Sequence, residues 1–494
     1  MKNGRRSGIL MHMTSLPSQE GIGTLGSGAY AFVDFLKKTN TAIWQMLPIG
    51  PTGYGESPYQ SSSTFAGNPL LIDAQRLRDE GLLDLPSTPA PASAQVDFDA
   101  VKQEKTRLLA RAYELSYEKL APEIEAFRRA NSWLDDYALF EALREHFDFV
   151  KWMEWPDRAI RMREEDALKH YRELLAPRVN YHAFVQYLFS RQWEKLHFYC
   201  RMNGVSLLGD LPIYVAEDSA DTWANPELFK LDEERRPLKV AGVPPDYFTA
   251  DGQLWGNPCY DWRANKKTDY AWWLERMRAV ADRFDMVRID HFIGFANYYA
   301  IPSGAPNARI GKWKKGPGKS LFRVIKQALP ELEIIAEDLG VTGPRVKDLL
   351  KFCGYPGMHV LQFAFGTNMK NQDLPANVKK HCAYYTGTHD NATTREWYEG
   401  ASPDERKNLM KALELAPDED APDAMIRCVL TSRAFIAVVP MQDYLGLSGA
   451  ARMNTPGTVG GQNWRWRMQP GMLNEALAER IRALTCEAER GVDK

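Results

Sequence analysis

Met286-Val287-Arg288-Ile289-Asp290-His291-Phe292 is an apolar run that ends on an acid. Two further stretches end the same way: Ile334-Ile335-Ala336-Glu337-Asp338 and Thr386-Gly387-Thr388-His389-Asp390-Asn391. Short apolar runs closed by polar residues mark parallel strands, buried on both faces, whose C-terminal ends carry chemistry. Working outward, eight such runs occur, at 8–13, 42–47, 205–208, 286–289, 333–336, 358–362, 383–386 and 435–439. Helical patterns at 270–283, 320–328 and 344–352 lie between the later ones. Eightfold strand–helix alternation predicts an α/β fold, a (β/α)₈ barrel. The reading places 1–494 in one catalytic barrel unit, with no separate C-terminal β-domain.

Two connections are too long for a plain barrel. About 150 residues separate the second run from the third, against about 25 for a simple helical crossover. The span 51–200 is read as an inserted, mainly helical subdomain. It holds a Pro-rich patch, Leu85-Pro86-Ser87-Thr88-Pro89-Ala90-Pro91, then helical patterns at 101–120, 122–130 and 133–147. Its apolar seam does not hold for three heptads, which argues against a coiled coil. The span 213–262, dense in Pro, Gly, Trp and Tyr, is read as a loop-rich insertion covering the active site. Segment 416–422 is read as a solvated acidic loop.

With 494 residues, 44% of them hydrophobic, the chain has material for a large core, and disorder is excluded. Lys+Arg (62) and Asp+Glu (64) nearly cancel. No basic excess is present to bind nucleic acid or an anionic membrane. Six cysteines, none paired as CxxC, fit a reducing cytoplasm. The basic start at 1–6 leads into an apolar run that His12 breaks, too short for a signal sequence. No stretch reaches the 18 apolar residues of a membrane span. Aromatics make up 11% of the chain, and flat amphipathic rings suit the faces of sugars.

In a parallel barrel, Asp290, Glu337 and Asp390 share the C-terminal rim, where active sites are built. Cleaving a glycosidic bond needs one acid to protonate the leaving oxygen and one carboxylate to attack or support the anomeric carbon. A third can bind hydroxyls and stabilise developing positive charge. Crowding raises the pKa of one member and keeps it protonated near neutrality. Arg288 and Asp290, two apart on a strand, point to the same face, so the guanidinium can serve the carboxylate. No HxxxH or DxDxDG spacing occurs, so no metal is expected.

The chain resembles the amylomaltases, or disproportionating enzymes: the 4-α-glucanotransferases of glycoside hydrolase family 77, related to α-amylases. The motifs run in order over about residues 8 to 470. They include Pro51-Thr52-Gly53-Tyr54-Gly55-Glu56-Ser57-Pro58-Tyr59-Gln60, Gly209-Asp210-Leu211-Pro212 and Gly242-Val243-Pro244-Pro245-Asp246-Tyr247-Phe248. Gly252-Gln253-Leu254-Trp255-Gly256-Asn257-Pro258, the strand ends above, Ala451-Arg452-Met453-Asn454-Thr455-Pro456-Gly457 and Asn463-Trp464 complete the set.

The resemblance implies Asp290 as nucleophile, Glu337 as general acid/base and Asp390 as transition-state stabiliser, with Arg288 and His389 as companions. It implies substrate contacts from Asp210, Trp255, Gln253, Tyr59, Ser57, His291 and Asn463, and a loop at 244–252 arching over bound glucan. Cofactors are expected to be none. The expected partner is a maltooligosaccharide or longer α-1,4-glucan, handled by a cytoplasmic monomer or homodimer. The sequence departs from the family at Ala392, where an acid is common, and at Thr249, Ala250 and Asp251. The activity implied is retaining disproportionation through a glucosyl–Asp290 intermediate, with possible cyclisation and minor hydrolysis. An α-1,4-glucan hydrolase on the same barrel and an inert glucan-binding protein are the alternatives. The intact Asp290, Glu337 and Asp390 oppose the second.

Overall fold

The computed structural model describes residues 4–245, 250–340, 343–366, 368 and 371–491. Eight parallel strands form the central sheet: β1 (Arg6–Leu10), β2 (Ile43–Gln45), β3 (Ser206–Pro212), β4 (Met286–Asp290), β5 (Glu333–Ala336), β6 (Gly357–Val360), β7 (Cys382–Tyr385) and β8 (Ile436–Pro440). In space the order is β6-β7-β8-β1-β2-β3-β4-β5. Between β5 and β6 the ring is bridged by Ala336 N–H donating to Pro356 O (2.9 Å) and by the Asp338 carboxylate accepting Met358 N–H (2.8 Å). This is the (β/α)₈ barrel the sequence predicts, and each of the eight apolar runs supplies one strand.

Apolar character drives the assembly. β1, β2, β7 and β8 are buried along their whole length, as strands covered by helices on one side and barrel interior on the other must be. The helices predicted from the later periodic stretches form at Ala271–Arg283, Lys319–Ala328 and Pro344–Cys353. No strand follows β8 among the described residues, and no described helix is long and apolar enough to cross a membrane.

The β2–β3 connection is helical, as expected, with one correction. The patterns at 101–120 and 122–130 are a single helix, Phe98–Ala130, running through Pro122. Proline removes one N–H and crowds the preceding turn. Here Leu120 and Ile124 are buried on either side of it, and that packing carries the helix across the fault. The helix Ala176–Met202 buries Phe184, Leu188, Trp193 and Leu196 and leads directly into β3.

The 213–262 segment carries more regular structure than its loop-rich composition suggests. It is not only loops, because Lys239–Val243 and Gln253–Pro258 pair as antiparallel strands. They join Asn297–Pro302 and Lys312–Lys315, which follow β4, in one four-stranded sheet. Its inner face, with Ala241, Tyr298 and Ala300, joins the main core, while Val240, Tyr299, Ile301 and Ala308 form a small separate one. The alternating pattern there was masked by Gly, Pro and aromatic residues.

Candidate active site

The register of the central sheet places the first charged pair. Asp210 on β3 lies opposite Arg288 on β4, so both side chains enter the same layer of the barrel. Arg288 Nη1 donates to Asp210 at 2.8 and 2.6 Å, and Nη2 donates to Asp290 Oδ1 at 2.7 Å. The Asp210 side chain is fully enclosed, and it also accepts the Tyr59 hydroxyl (2.7 Å). One buried guanidinium thus joins two carboxylates, and the second presents its free oxygen at the rim, more than a quarter exposed.

Glu337 follows β5 and is stitched to the end of β4. Its N–H donates to Ile289 O (3.0 Å) and its carbonyl accepts Phe292 N–H (3.0 Å). Its carboxylate accepts His291 N–H (2.8 Å) and Leu339 N–H (2.7 Å). His291 has φ +49°, in the left-handed region that few non-glycine residues enter. The reversal turns its N–H toward Glu337. Burial, then the nearby Asp290 charge, push the Glu337 carboxyl up to about 7, against the pull of Arg288 and the two amides. Burial lowers the His291 ring to about 4, so the imidazole is uncharged at neutral pH.

Asp390 lies beyond β7 and is held by residues the sequence reading left without a role. Asn454 Nδ2 donates to its Oδ1 (2.6 Å), and Arg452 Nη2 donates to its backbone carbonyl (2.7 Å). His389 Nε2 lies 3.4 Å from the same Oδ1. The His389 ring stacks on Tyr59, with centroids 5.1 Å apart, and Trp464 packs against both rings. Asn454 stands in the quoted Asn-Thr-Pro-Gly stretch; a polar residue at the head of that turn was the available signal.

The other expected contacts fall into two groups. Trp255 sets its ring edge-on to His291 (4.8 Å), and its Nε1–H donates to Gln253 Oε1 (3.1 Å), so these two side chains form one wall. Ser57 accepts Tyr59 N–H (3.3 Å) and thereby braces Tyr59. Asn463 spends its amide on the 455–463 loop, bonding Thr455 N–H and Thr458. The carbonyl of Ala392, where the family often has an acid, accepts the Gln362 amide (2.8 Å). Of the expected arching loop, residues 246–249, with Tyr247, Phe248 and Thr249, lie outside the described residues. Its C-terminal end is fixed: Ala308 N–H donates to Asp251 O (3.0 Å), and Arg309 pairs with the Asp251 carboxylate (2.8 Å). No cluster of three or more metal-ligating side chains occurs among the described residues.

A (β/α)₈ barrel carrying carboxylates, a guanidinium and aromatic walls at its C-terminal rim is the architecture of an enzyme acting on glycosidic bonds. The chain belongs to the 4-α-glucanotransferase family, glycoside hydrolase family 77, whose model matches residues 11–474. It is 46% identical to a 4-α-glucanotransferase of Streptococcus pneumoniae, over 97% of this chain and 96% of that protein. It is 45% identical to a 4-α-glucanotransferase of Thermus thermophilus, over 99% of this chain and all of the other. Among solved structures it is similar to the amylomaltase of Streptococcus agalactiae in complex with acarbose. The TM-score there is 0.95 at 39% identity, over 99% of this chain and 100% of that one.

Proposed function

We propose that this protein is a retaining 4-α-glucanotransferase acting on maltooligosaccharides and longer α-1,4-glucans. The observation that carries the mechanism is the pairing of two unlike carboxyls. Asp290 faces the cleft with a guanidinium on one oxygen, while Glu337 is buried with its carboxyl raised to about 7. One carboxylate paired with an arginine and one carboxyl that keeps a proton at neutral pH are what double displacement requires.

Asp290 attacks the anomeric carbon as Glu337 gives its proton to the departing glycosidic oxygen. The reducing-side fragment leaves, and a glucosyl ester on Asp290 remains. Glu337, now ionised, takes the proton from the 4-hydroxyl of a second glucan, which attacks the ester and restores an α-1,4 bond. Water in that place gives hydrolysis. Asp390, braced by Asn454 and Arg452, stabilises the positive charge that builds on the sugar ring. Asp210 holds Arg288 and Tyr59 in place, and Trp255 with Gln253 forms the platform for the acceptor. Two carboxyls supply every proton transfer, so the cycle needs no cofactor.

The test is chromatography of products from maltotriose alone. Glucose with a ladder of longer chains supports the transferase; maltose and glucose without longer chains would mean a hydrolase; no reaction would mean a binding protein. We also propose that the protein works in the cytoplasm. The dispersed cysteines, with Cys200, Cys259, Cys353 and Cys382 buried as free thiols, support that compartment.

A further inference from the structure

The short helix Met441–Tyr444 follows β8 directly and has no part in the chemistry just described. It carries Asp443, which is buried at 2% exposure. Both oxygens of this carboxylate are spent on one stretch of chain. Oδ2 accepts the Thr386 hydroxyl (2.7 Å), and Oδ1 accepts Thr394 N–H (2.8 Å). Thr386 is the first residue past β7, and Thr394 opens the helix Thr394–Gly400. One carboxylate therefore pins both ends of the connection, and His389 and Asp390 lie between the two pins.

Burial raises the Asp443 carboxyl to about 6, so it is ionised at neutral pH. The groups that draw it back down are the two threonines, not a cation. Hydrogen bonds to an ionised acceptor are shorter and about twice as strong as neutral ones, which suits a clamp. The neighbouring Gln442 grips the other segment at Asp390. Its amide donates to Ala451 O (3.3 Å), at the head of the stretch whose Arg452 and Asn454 hold Asp390. Asn454 N–H also donates to His389 O (3.1 Å), which laces the two segments together.

We propose that Asp443 is a positioning residue for Asp390. It fixes both ends of the connection that carries Asp390 and so sets where that carboxylate meets the sugar. Asp443 touches no substrate and acts through Thr386 and Thr394. This rests on the reading of Asp390 as the group that stabilises the charged sugar ring.

The test is a mutant cycle read by fluoride release from α-maltotriosyl fluoride, a donor reactive enough to keep impaired variants measurable. Displacing a reacting group slightly costs rate rather than binding, so Asp443→Ala is expected to lower kcat about 10- to 100-fold with KM within about twofold. Asp443→Asn, which can still accept Thr394 N–H, should recover part of that loss. In an Asp390→Asn background, Asp443→Ala should cost less than about twofold more, because residues acting as a unit are not additive. An unchanged kcat, no recovery in Asp443→Asn, or the same fold-loss in both backgrounds would overturn the proposal. If circular dichroism shows Asp443→Ala to be misfolded, the cycle is read with Thr386→Val, which removes one of the two pins. Asp390→Asn alone tests the reading beneath: a wild-type kcat there would reject Asp390 as stabiliser, whereas a large loss there with additive effects of Asp443→Ala would reject only the clamp.

Discussion

The backbone amide of His291, the residue after Asp290, donates to the carboxylate of Glu337 across 2.8 Å. The two carboxyls of the proposed mechanism are therefore tied through one peptide, not merely placed on neighbouring strands. Two backbone bonds, Glu337 N–H to Ile289 O and Phe292 N–H to Glu337 O, close the same corner, and Leu339 N–H donates to the Glu337 carboxylate as well. Geometry held by main-chain bonds requires little reorganisation during reaction.

Glu337 should impose an alkaline limit on activity and on stability. Its carboxyl sits at about 7 when folded, against an ordinary 4.5. Below 4.5 the group is protonated in both states; between about 4.5 and 7 only the unfolded chain ionises it, so stability falls across that window and stays reduced above it. Glu337→Gln should thus unfold with a free energy about 1–3 kcal/mol higher than wild type at pH 8.5, and with no gain at pH 4. In parallel, kcat/KM on maltotriose should fall above about pH 7. With a glycosyl fluoride, whose leaving group needs no proton, the first step should not show that fall.

Glu337→Gln should also trap the intermediate. With α-maltotriosyl fluoride it can form the ester but cannot activate an acceptor. Mass spectrometry of a peptic digest should find one maltotriosyl adduct on the peptide containing Asp290. An adduct elsewhere, or none under fast quench, would remove Asp290 from its role.

Trp255→Ala should lower transfer more than hydrolysis. Water stands at about 55 M, so an acceptor sugar must compete by being held in place. Losing one stacking surface of about 1–2 kcal/mol weakens the acceptor but not water. The measurement is the ratio of ladder products to reducing ends from maltotriose; an unchanged ratio would make Trp255 a structural residue.

Asn454→Ala should cut kcat about 10- to 100-fold with little change in KM, because it frees Asp390 from the amide that aims it. Steady-state kinetics on maltotriose decide this. A change confined to KM would assign Asn454 to ground-state binding instead.

Exhaustive chelation should leave the initial rate unchanged. A loss restored by Ca²⁺ or Zn²⁺ would require a metal in the cycle.

Much of this was legible in the chain itself. The eight strands announce themselves because parallel strands buried on both faces must be apolar throughout, and acids ending such runs stand out. Asp290 and Glu337 were visible for that reason. Phe98–Ala130 was split at Pro122 because local propensity forbids what the packing of Leu120 and Ile124 permits. The strands Lys239–Val243 and Asn297–Pro302 were hidden because their pairing joins two separate connections, and no local window contains both. Asn454 escaped for a similar reason: it matters through Asp390, a neighbour distant in sequence.

The four-stranded sheet also bears on how such an enzyme can diversify. Its Asn297–Pro302 strand leaves the β4 corner and pairs with Lys239–Val243, which in turn pairs with the strand carrying Trp255. Adding or removing a single residue inside any of these strands would exchange its two faces, turning cleft side chains outward. Changes of length are therefore confined to the tips where consecutive strands of this sheet are joined, such as 303–311. Inherited variation in chain-length preference should accumulate at those tips while the ladder between them keeps its register, and grafting experiments would do best to cut there.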